Sequence, residues 1–261
     1  MKTFKAKGDN ILKGAVMIGV LIISIIYTSI TYNINVREAF SNIRELPIYS
    51  VERNDKKISI TFDAAWGIDS TRTILDILDK YNIKSTFFLV GFWVEKYPEL
   101  VEEISSRGHD IGNHSTNHPY MTKLSEEQMI QELSKTGDQI KEISGKKPIL
   151  FRPPFGDYND TVIRVCRENG YYPIQWDVDS LDWKELGVQP VVDRVTRNVR
   201  SGSIVLFHNN AKYVAEYLPI VIEKLQKDGY EIIPVSQLIY KDNYYIDNTG
   251  RQIKTESNKT D

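Results

Sequence analysis

Cysteine is almost absent. The single Cys166 among 261 residues excludes an internal disulfide framework. It closes the apolar, helix-like run Val162 to Cys166 and reads as a buried structural thiol, not a nucleophile. No long Lys/Arg run follows the first dozen residues, and the formal net charge is only −2, which argues against a nucleic-acid partner. There is no internal repeat and no low-complexity block. Histidines number four, few enough to weigh one by one. What remains is ordinary globular composition, 41% hydrophobic and 26% charged, enough for one catalytic-size domain once the terminal segments are set aside.

Charge is also missing locally: no charged residue lies between Lys13 and Arg37. That gap holds the apolar stretch Gly14 to Tyr27, and a helix of about 20 residues is what crosses the hydrocarbon core of a bilayer. Lys2, Lys5, Lys7 and Lys13 precede it against one Asp9, so residues 1–13 are expected on the cytoplasmic side, with Tyr27 and Tyr32 at the outer interface. The expectation is a single-pass transmembrane signal anchor over residues 14–34, which places the bulk of the chain outside the cytoplasm, at the cell membrane. A cleaved signal peptide and secretion form the alternative, since Thr28, Ser29 and Thr31 are small, although no Ala-x-Ala site follows. Residues 35–55 read as a linker with an extended piece from Leu46 to Val51. Residues 241–261 read as a polar tail, leaving 56–240 as the folded domain.

Within 56–240 strand and helix patterns alternate. Ile58, Ile60 and Phe62 alternate with Ser59 and Thr61 in a first strand ending at Asp63. Further strands are expected at 85–90, 110–113, 149–151, 172–176, 203–207 and 231–235. Ser125 and Gln128 form a capping box for the longest helix, which stops at Gly145. Seven βα-type units imply an α/β fold with a mostly parallel sheet, either a barrel, closed or distorted, or a doubly wound sheet.

Ionisable residues follow the strands directly: Asp63 the first, His114 the third, Arg152 the fourth, Asp177 and Asp179 the fifth, His208 the sixth. Ligands bind where βα loops converge at the carboxyl ends of parallel strands, so these groups mark a candidate active site. His114 and His118 stand four apart; on a helical turn that spacing turns both imidazoles to one face, suiting a divalent metal. His208, on a distant strand end, is free to act as a general acid. His109 precedes its strand and reads as structural.

In this order the segments resemble the polysaccharide deacetylase (NodB homology) family, carbohydrate esterase family 4. The strings are Thr61-Phe62-Asp63, His114-Ser115-Thr116-Asn117-His118-Pro119, Arg152-Pro153-Pro154-Phe155-Gly156, Asp179-Ser180-Leu181-Asp182-Trp183 and Leu206-Phe207-His208. The longer strings Phe62 to Gly67 and Phe207 to Ala211 resemble the sporulation-associated subgroup of endospore-forming bacteria. The resemblance implies a deformed (β/α)7-type barrel and metal-assisted hydrolysis of acetamides on N-acetylglucosamine or N-acetylmuramic acid polymers. It casts His114 and His118 as ligands of zinc, or of cobalt, manganese or nickel. Asp63 would be the base, Arg152 its orienter, His208 the acid and Asp182 the partner of His208. Phe155, Trp183 and Leu206 would wall the acetyl pocket.

One position departs from the pattern. The family usually carries a second aspartate after the base as third metal ligand, and here it is Ala64. Asp69 is placed to reach in from the next loop or, equally, to sit at a helix N-terminus. A weakened metal site is therefore expected, and an inactive or weakly active glycan-binding envelope protein stands as the alternative to the enzyme.

Overall fold

The computed structural model describes residues 21–29, 44–67 and 70–255. The chain divides into two units, Met1–Arg44 and Glu45–Asp261. In the first, residues 21–29 form a helix, α1, that leaves Leu21, Ile22, Ile23, Ile25 and Ile26 exposed. The rest of the expected anchor 14–34, segment 1–13 and Asp69 lie outside the described residues. Among the described residues no helix is long and apolar enough to cross a membrane.

The second unit is built on β2 (Lys57–Ala64), β3 (Thr86–Leu89), β4 (Asp110–Asn113), β5 (Leu150–Phe151), β6 (Tyr172–Pro173), β7 (Val178–Asp179) and β8 (Ile204–His208). They pair in parallel in the order β6-β5-β4-β3-β2-β8-β7, and β9 (Glu231–Ile232) joins the first residues of β2. The crossovers carry α2 (Thr71–Lys80), α3 (Gly91–Lys96), α4 (Pro98–Ser106), α5 (Glu126–Ser144), α6 (Asp160–Glu168), α7 (Val188–Asn198) and α8 (Val214–Lys227), with α9 (Val235–Leu238) after β9. The capping box at Ser125 and Gln128 is present, and α5 ends on Gly145 with φ of 73°.

The two end strands, β6 and β7, are consecutive in the chain. Laid flat, a seven-stranded sheet is about 29 Å wide. Residues 174–177 between them reach about 17 Å at most. The sheet must therefore curl, and the result is a parallel α/β half-barrel. The single strand expected over 172–176 is corrected to these two short strands, split where the chain crosses the opening.

Side chains alternate along β2. Ile58, Ile60, Phe62 and Ala64 enter the main core, where Phe62 stacks on Phe87 and Phe207 at centroid distances of 5.1 and 5.7 Å. Removing such a ring costs about 3–5 kcal/mol. The intervening Ser59 and Thr61 are buried too, and their hydroxyls donate to the Ile233 and Val205 carbonyls.

The described parts of the expected linker and tail both form strands in the second unit. Ile48 bridges in parallel to Ile174, just after β6, and Ser50 antiparallel to Ser203, just before β8, so this segment spans the opening beside β7. Ile48, Ser50 and Val51 are buried there. The approach is close: a Cβ on Gly202, at φ of 84°, would lie 1.7 Å from the Val51 carbonyl oxygen. Strands β1 (Ser50–Val51), β10 (Tyr244–Ile246) and β11 (Arg251–Lys254) form a second sheet in the order β1-β11-β10. The hairpin was hidden because its strands are only three and four residues long, too short to show a period, although Ile246 packs against the cluster of Ile48 and Val51.

Candidate active site

β2, β4, β5, β7 and β8 deliver Asp63, His114, Arg152, Asp179 and His208 to the same end of the half-barrel. Around them lies a cavity of about 510 Å³ lined by residues that include Asp63, Trp66, His114, His118, Trp183 and His208. Phe155, Leu206 and Asp179 line it as well. Asp177, expected beside Asp179, is not part of it. It precedes β7, and its carboxylate accepts from Ile204 N–H and Ser203 Oγ at the opposite end of the strands.

Asp63 and Arg152 form the buried centre. Arg152 Nη1 donates to Asp63 Oδ1 at 2.7 Å and to Thr61 Oγ1 at 2.9 Å, while Nη2 donates to the Gln175 carbonyl at 3.2 Å. The guanidinium is fully buried and lies 4.1 Å from the centroid of the Phe88 ring. Burial alone would raise the Asp63 pKa. The Arg152 charge, helped by its hydrogen bond to the carboxylate, outweighs it and holds the carboxyl below its ordinary range.

His114 follows β4, and its Nδ1 lies 2.7 Å from the Arg152 carbonyl oxygen. A carbonyl only accepts, so Nδ1 carries the proton and donates, leaving the Nε2 lone pair 3.4 Å from Asp63 Oδ2. His118 reaches the same place by a route the helical-spacing argument did not foresee. Ser115 and His118 take left-handed φ values of 67° and 56°, and the loop is not helical. Glu132 of α5 fixes it by accepting from the backbone N–H groups of Thr116 and Asn117, both at 2.8 Å. The two imidazoles meet at 4.9 Å. Burial lowers the pKa of both rings, that of His118 to about 4, so both are neutral at physiological pH.

These two rings give the fit to a divalent ion. Among the described residues the buried Nδ1 of His118 has no hydrogen-bond partner, and neutral imidazole nitrogen is a common ligand of divalent metals. Ala64 is fully buried in the main core and supplies no donor. Among the described residues no group of three or more His, Cys, Asp or Glu forms a metal site. The pair suits an ion that takes its remaining ligands from water or substrate.

On the far side, His208 Nδ1 lies 2.7 Å from Asp182 Oδ1, and the His208 N–H donates to Oδ2 at 2.9 Å. Tyr217 OH donates to the same Oδ2 at 2.8 Å. Asp182 is presented by Leu181, whose left-handed φ of 54° is stabilised by its N–H donating to Asp179 Oδ1. Burial would lower the His208 pKa, but the hydrogen bond and charge of Asp182 outweigh it and raise the pKa above the ordinary value.

The polysaccharide deacetylase family model matches residues 50–174. A peptidoglycan-N-acetylglucosamine deacetylase of Bacillus cereus is 37% identical over 196 residues, covering 73% of this chain and 92% of that protein. The chain belongs to the polysaccharide deacetylase family, the carbohydrate N-deacetylases that its motifs resemble. The peptidoglycan-N-acetylmuramic acid deacetylase PdaC of Bacillus subtilis is also 37% identical, over 72% of this chain but only 40% of that longer protein. Among solved structures, a mutant of a Bacillus anthracis CE4 family pseudoenzyme, with restored enzymatic activity, superposes with a TM-score of 0.71. It is 35% identical and covers 74% of this chain and 70% of that one.

All nine site residues expected from the sequence are at or beside this cavity. Phe155 sits at its rim and not at its floor, since its ring is more than half exposed. Sequence reasoning missed Trp66 and Tyr217. Trp66 stood inside a quoted string without a role, and its ring meets His118 at 5.0 Å. Tyr217 falls on the apolar stripe of α8, where an aromatic reads as core.

Proposed function

We propose that this chain removes N-acetyl groups from a cell-wall-type glycan, peptidoglycan or a spore-cortex glycan, outside the cytoplasm. The observation that carries the reading is the opposition of an Arg152-held Asp63 and an Asp182-held His208 across one cavity. Asp63, ionised and oriented, accepts a proton from the attacking water as it adds to the acetamide carbon. His208, with Nδ1 held by Asp182, gives its Nε2 proton to the departing sugar nitrogen as the C–N bond breaks, leaving acetate and a free amine. His114 and His118 would hold a divalent ion, which would polarise the acetamide carbonyl and acidify the water when bound. Leu206 and Trp183 bound the space for the acetyl methyl.

The location rests on the charge-free run 14–34, with exposed apolar residues along α1, and is read as a membrane anchor. The sporulation assignment rests on the strings around Asp63 and His208. A second reading has one specific observation behind it: Ala64 removes the third ligand, and a CE4 relative is described as a pseudoenzyme. In that reading the cavity binds glycan without turnover.

Acetate release decides between them. Full-length chain is incubated with peptidoglycan and with N-acetylglucosamine oligomers, with Zn²⁺, Co²⁺ or chelator, against His208→Ala. Metal-stimulated acetate that disappears in the variant supports the deacetylase. A folded protein that releases none from any substrate supports the second reading.

A further inference from the structure

Tyr217 is the odd member of its helix face. The buried residues of α8 are Val214, Tyr217, Leu218, Val221, Ile222 and Leu225, the stripe that packs into the main core. Among them Tyr217 alone carries a polar side-chain group. Its ring packs as a phenylalanine would, 5.6 Å from the Phe207 ring and 15° from parallel with it. Core packing therefore accounts for the ring but not for the hydroxyl. A buried phenol needs a hydrogen-bond partner, and a backbone carbonyl would suffice. Here the partner is the Asp182 carboxylate, at 2.8 Å.

Burial and the neighbouring Asp182 charge push the phenol far above its ordinary pKa, so the proton stays on Tyr217 and the hydroxyl donates. Asp182 is buried as well, and three donors meet it: the His208 N–H and Tyr217 OH on Oδ2, and His208 Nδ1 on Oδ1. Held at Oδ2 from both β8 and α8, the carboxylate cannot swing, and Oδ1 stays on Nδ1. Each donor also draws charge from the carboxylate, which loosens its hold on an imidazolium. The other titratable groups that face His208 are Asp63 of β2, Asp179 of β7 and, across the cavity, His114 and His118. A substitution at 217 leaves all four in place.

We propose that Tyr217 is a positioning residue for the proton-transferring pair, fixing the Asp182 carboxylate against His208 and limiting how tightly that carboxylate holds the imidazole proton. An acid must release its proton to the departing nitrogen, and an undiluted carboxylate charge beside it would make His208 a weaker acid. The inference rests on the reading of His208 as general acid. Its test has a readout that turnover does not enter.

Tyr217→Phe in the full-length chain deletes one oxygen and keeps the ring on Phe207. His208 is titrated through the NMR shifts of its ring, in chelator, with His208→Ala assigning the signal. The midpoint is expected to rise by about half a unit or more in Tyr217→Phe, the direction opposite to that of Asp182→Asn. On the N-acetylglucosamine tetramer the alkaline limb of kcat should move up with it. kcat should fall about fivefold at unchanged KM, the factor one net hydrogen bond supplies. 3-Fluorotyrosine at position 217, a stronger donor in the same place, should lower the midpoint, and it decides the matter if Tyr217→Phe does not fold. A midpoint that is unmoved or falls in Tyr217→Phe overturns the proposal, as does a loss of kcat with an unmoved limb, which marks Tyr217 as core packing only. If the parent releases no acetate from any sugar, the deacetylase reading fails separately. The midpoint alone then supports the role of Tyr217 if it rises and overturns it if it does not.

Discussion

The imidazole of His208 and the carboxylate of Asp182 are joined twice, Nδ1 to Oδ1 at 2.7 Å and the His208 backbone N–H to Oδ2 at 2.9 Å. The double contact fixes ring orientation as well as charge. It leaves Nε2 as the nitrogen that exchanges a proton with a ligand in the cavity.

A pH profile follows from this pair. In the proposed reaction His208 is the acid, so activity needs it protonated, and its raised pKa keeps it so beyond the ordinary value of about 6.5. Asp63 is the base of that proposal, and its lowered pKa keeps it ionised below the ordinary value of about 3.9. The rate is expected to fall on the alkaline side above about pH 6.5 and on the acid side below about pH 4. In Asp182→Asn the alkaline limb should move to lower pH and kcat should drop about 10²-fold or more. An alkaline limb that does not move in this variant would show that it belongs to another group. The same pairing stabilises the fold below the unfolded pKa of about 6.5, and that contribution is lost as pH rises through the higher folded value.

How much of this was legible in the sequence depends on the range of the interaction. Asp63, His114, Arg152 and His208 each sit next to an apolar strand run, so local periodicity placed them on one rim. Tyr217 gave no sign, because its bond to Asp182 spans 35 residues and its surroundings are those of any core tyrosine. The meeting of His114 and His118 was expected, but for the wrong local reason. Left-handed residues and the remote Glu132 build the loop, and a spacing rule sees neither. Ile48 to Val51 and the 244–254 hairpin were read as linker and tail because each is short and gains its stability from the other's backbone.

Arg152→Lys tests whether Asp63 must be held as well as ionised. Lysine keeps the charge but lacks the fork that joins Asp63, Thr61 and the Gln175 carbonyl. kcat is expected to fall about 10²-fold with a smaller change in KM, since misplacement penalises the reacting geometry more than binding. The melting temperature should fall too, because lysine cannot satisfy Asp63, Thr61 and the Gln175 carbonyl together, and each buried acceptor left unpaired costs about 1–3 kcal/mol. A variant of parental kcat would mean that Asp63 is oriented by His114 or by substrate instead.

Truncation after Lys241 tests the seam. Removing β10 and β11 leaves the outer edge of β1 unpaired and strips the Gly250 and Gln252 carbonyls from the N–H groups of Tyr49 and Glu52. Ile48 and Val51 then lose cover, and melting should come several degrees lower, with the segment that spans the opening less protected in amide exchange. Unaltered protection at Ile48 and Val51 would show that the half-barrel closes without the hairpin.

Ala64→Asp addresses the missing ligand. The position is fully buried among apolar side chains, so a carboxylate there without a counter-charge should destabilise the metal-free protein by a few kcal/mol. If the new carboxylate turns out of the core toward His114 and His118, it would complete the two-histidine, one-carboxylate set typical of catalytic zinc. Zn²⁺ affinity by titration calorimetry is then expected to tighten at least about tenfold, with the thermal loss recovered on adding Zn²⁺. These two readouts do not depend on turnover. If affinity stays at the parental level while the destabilisation persists, the carboxylate remains in the core. The two histidines would then bind metal in a geometry that position 64 does not reach.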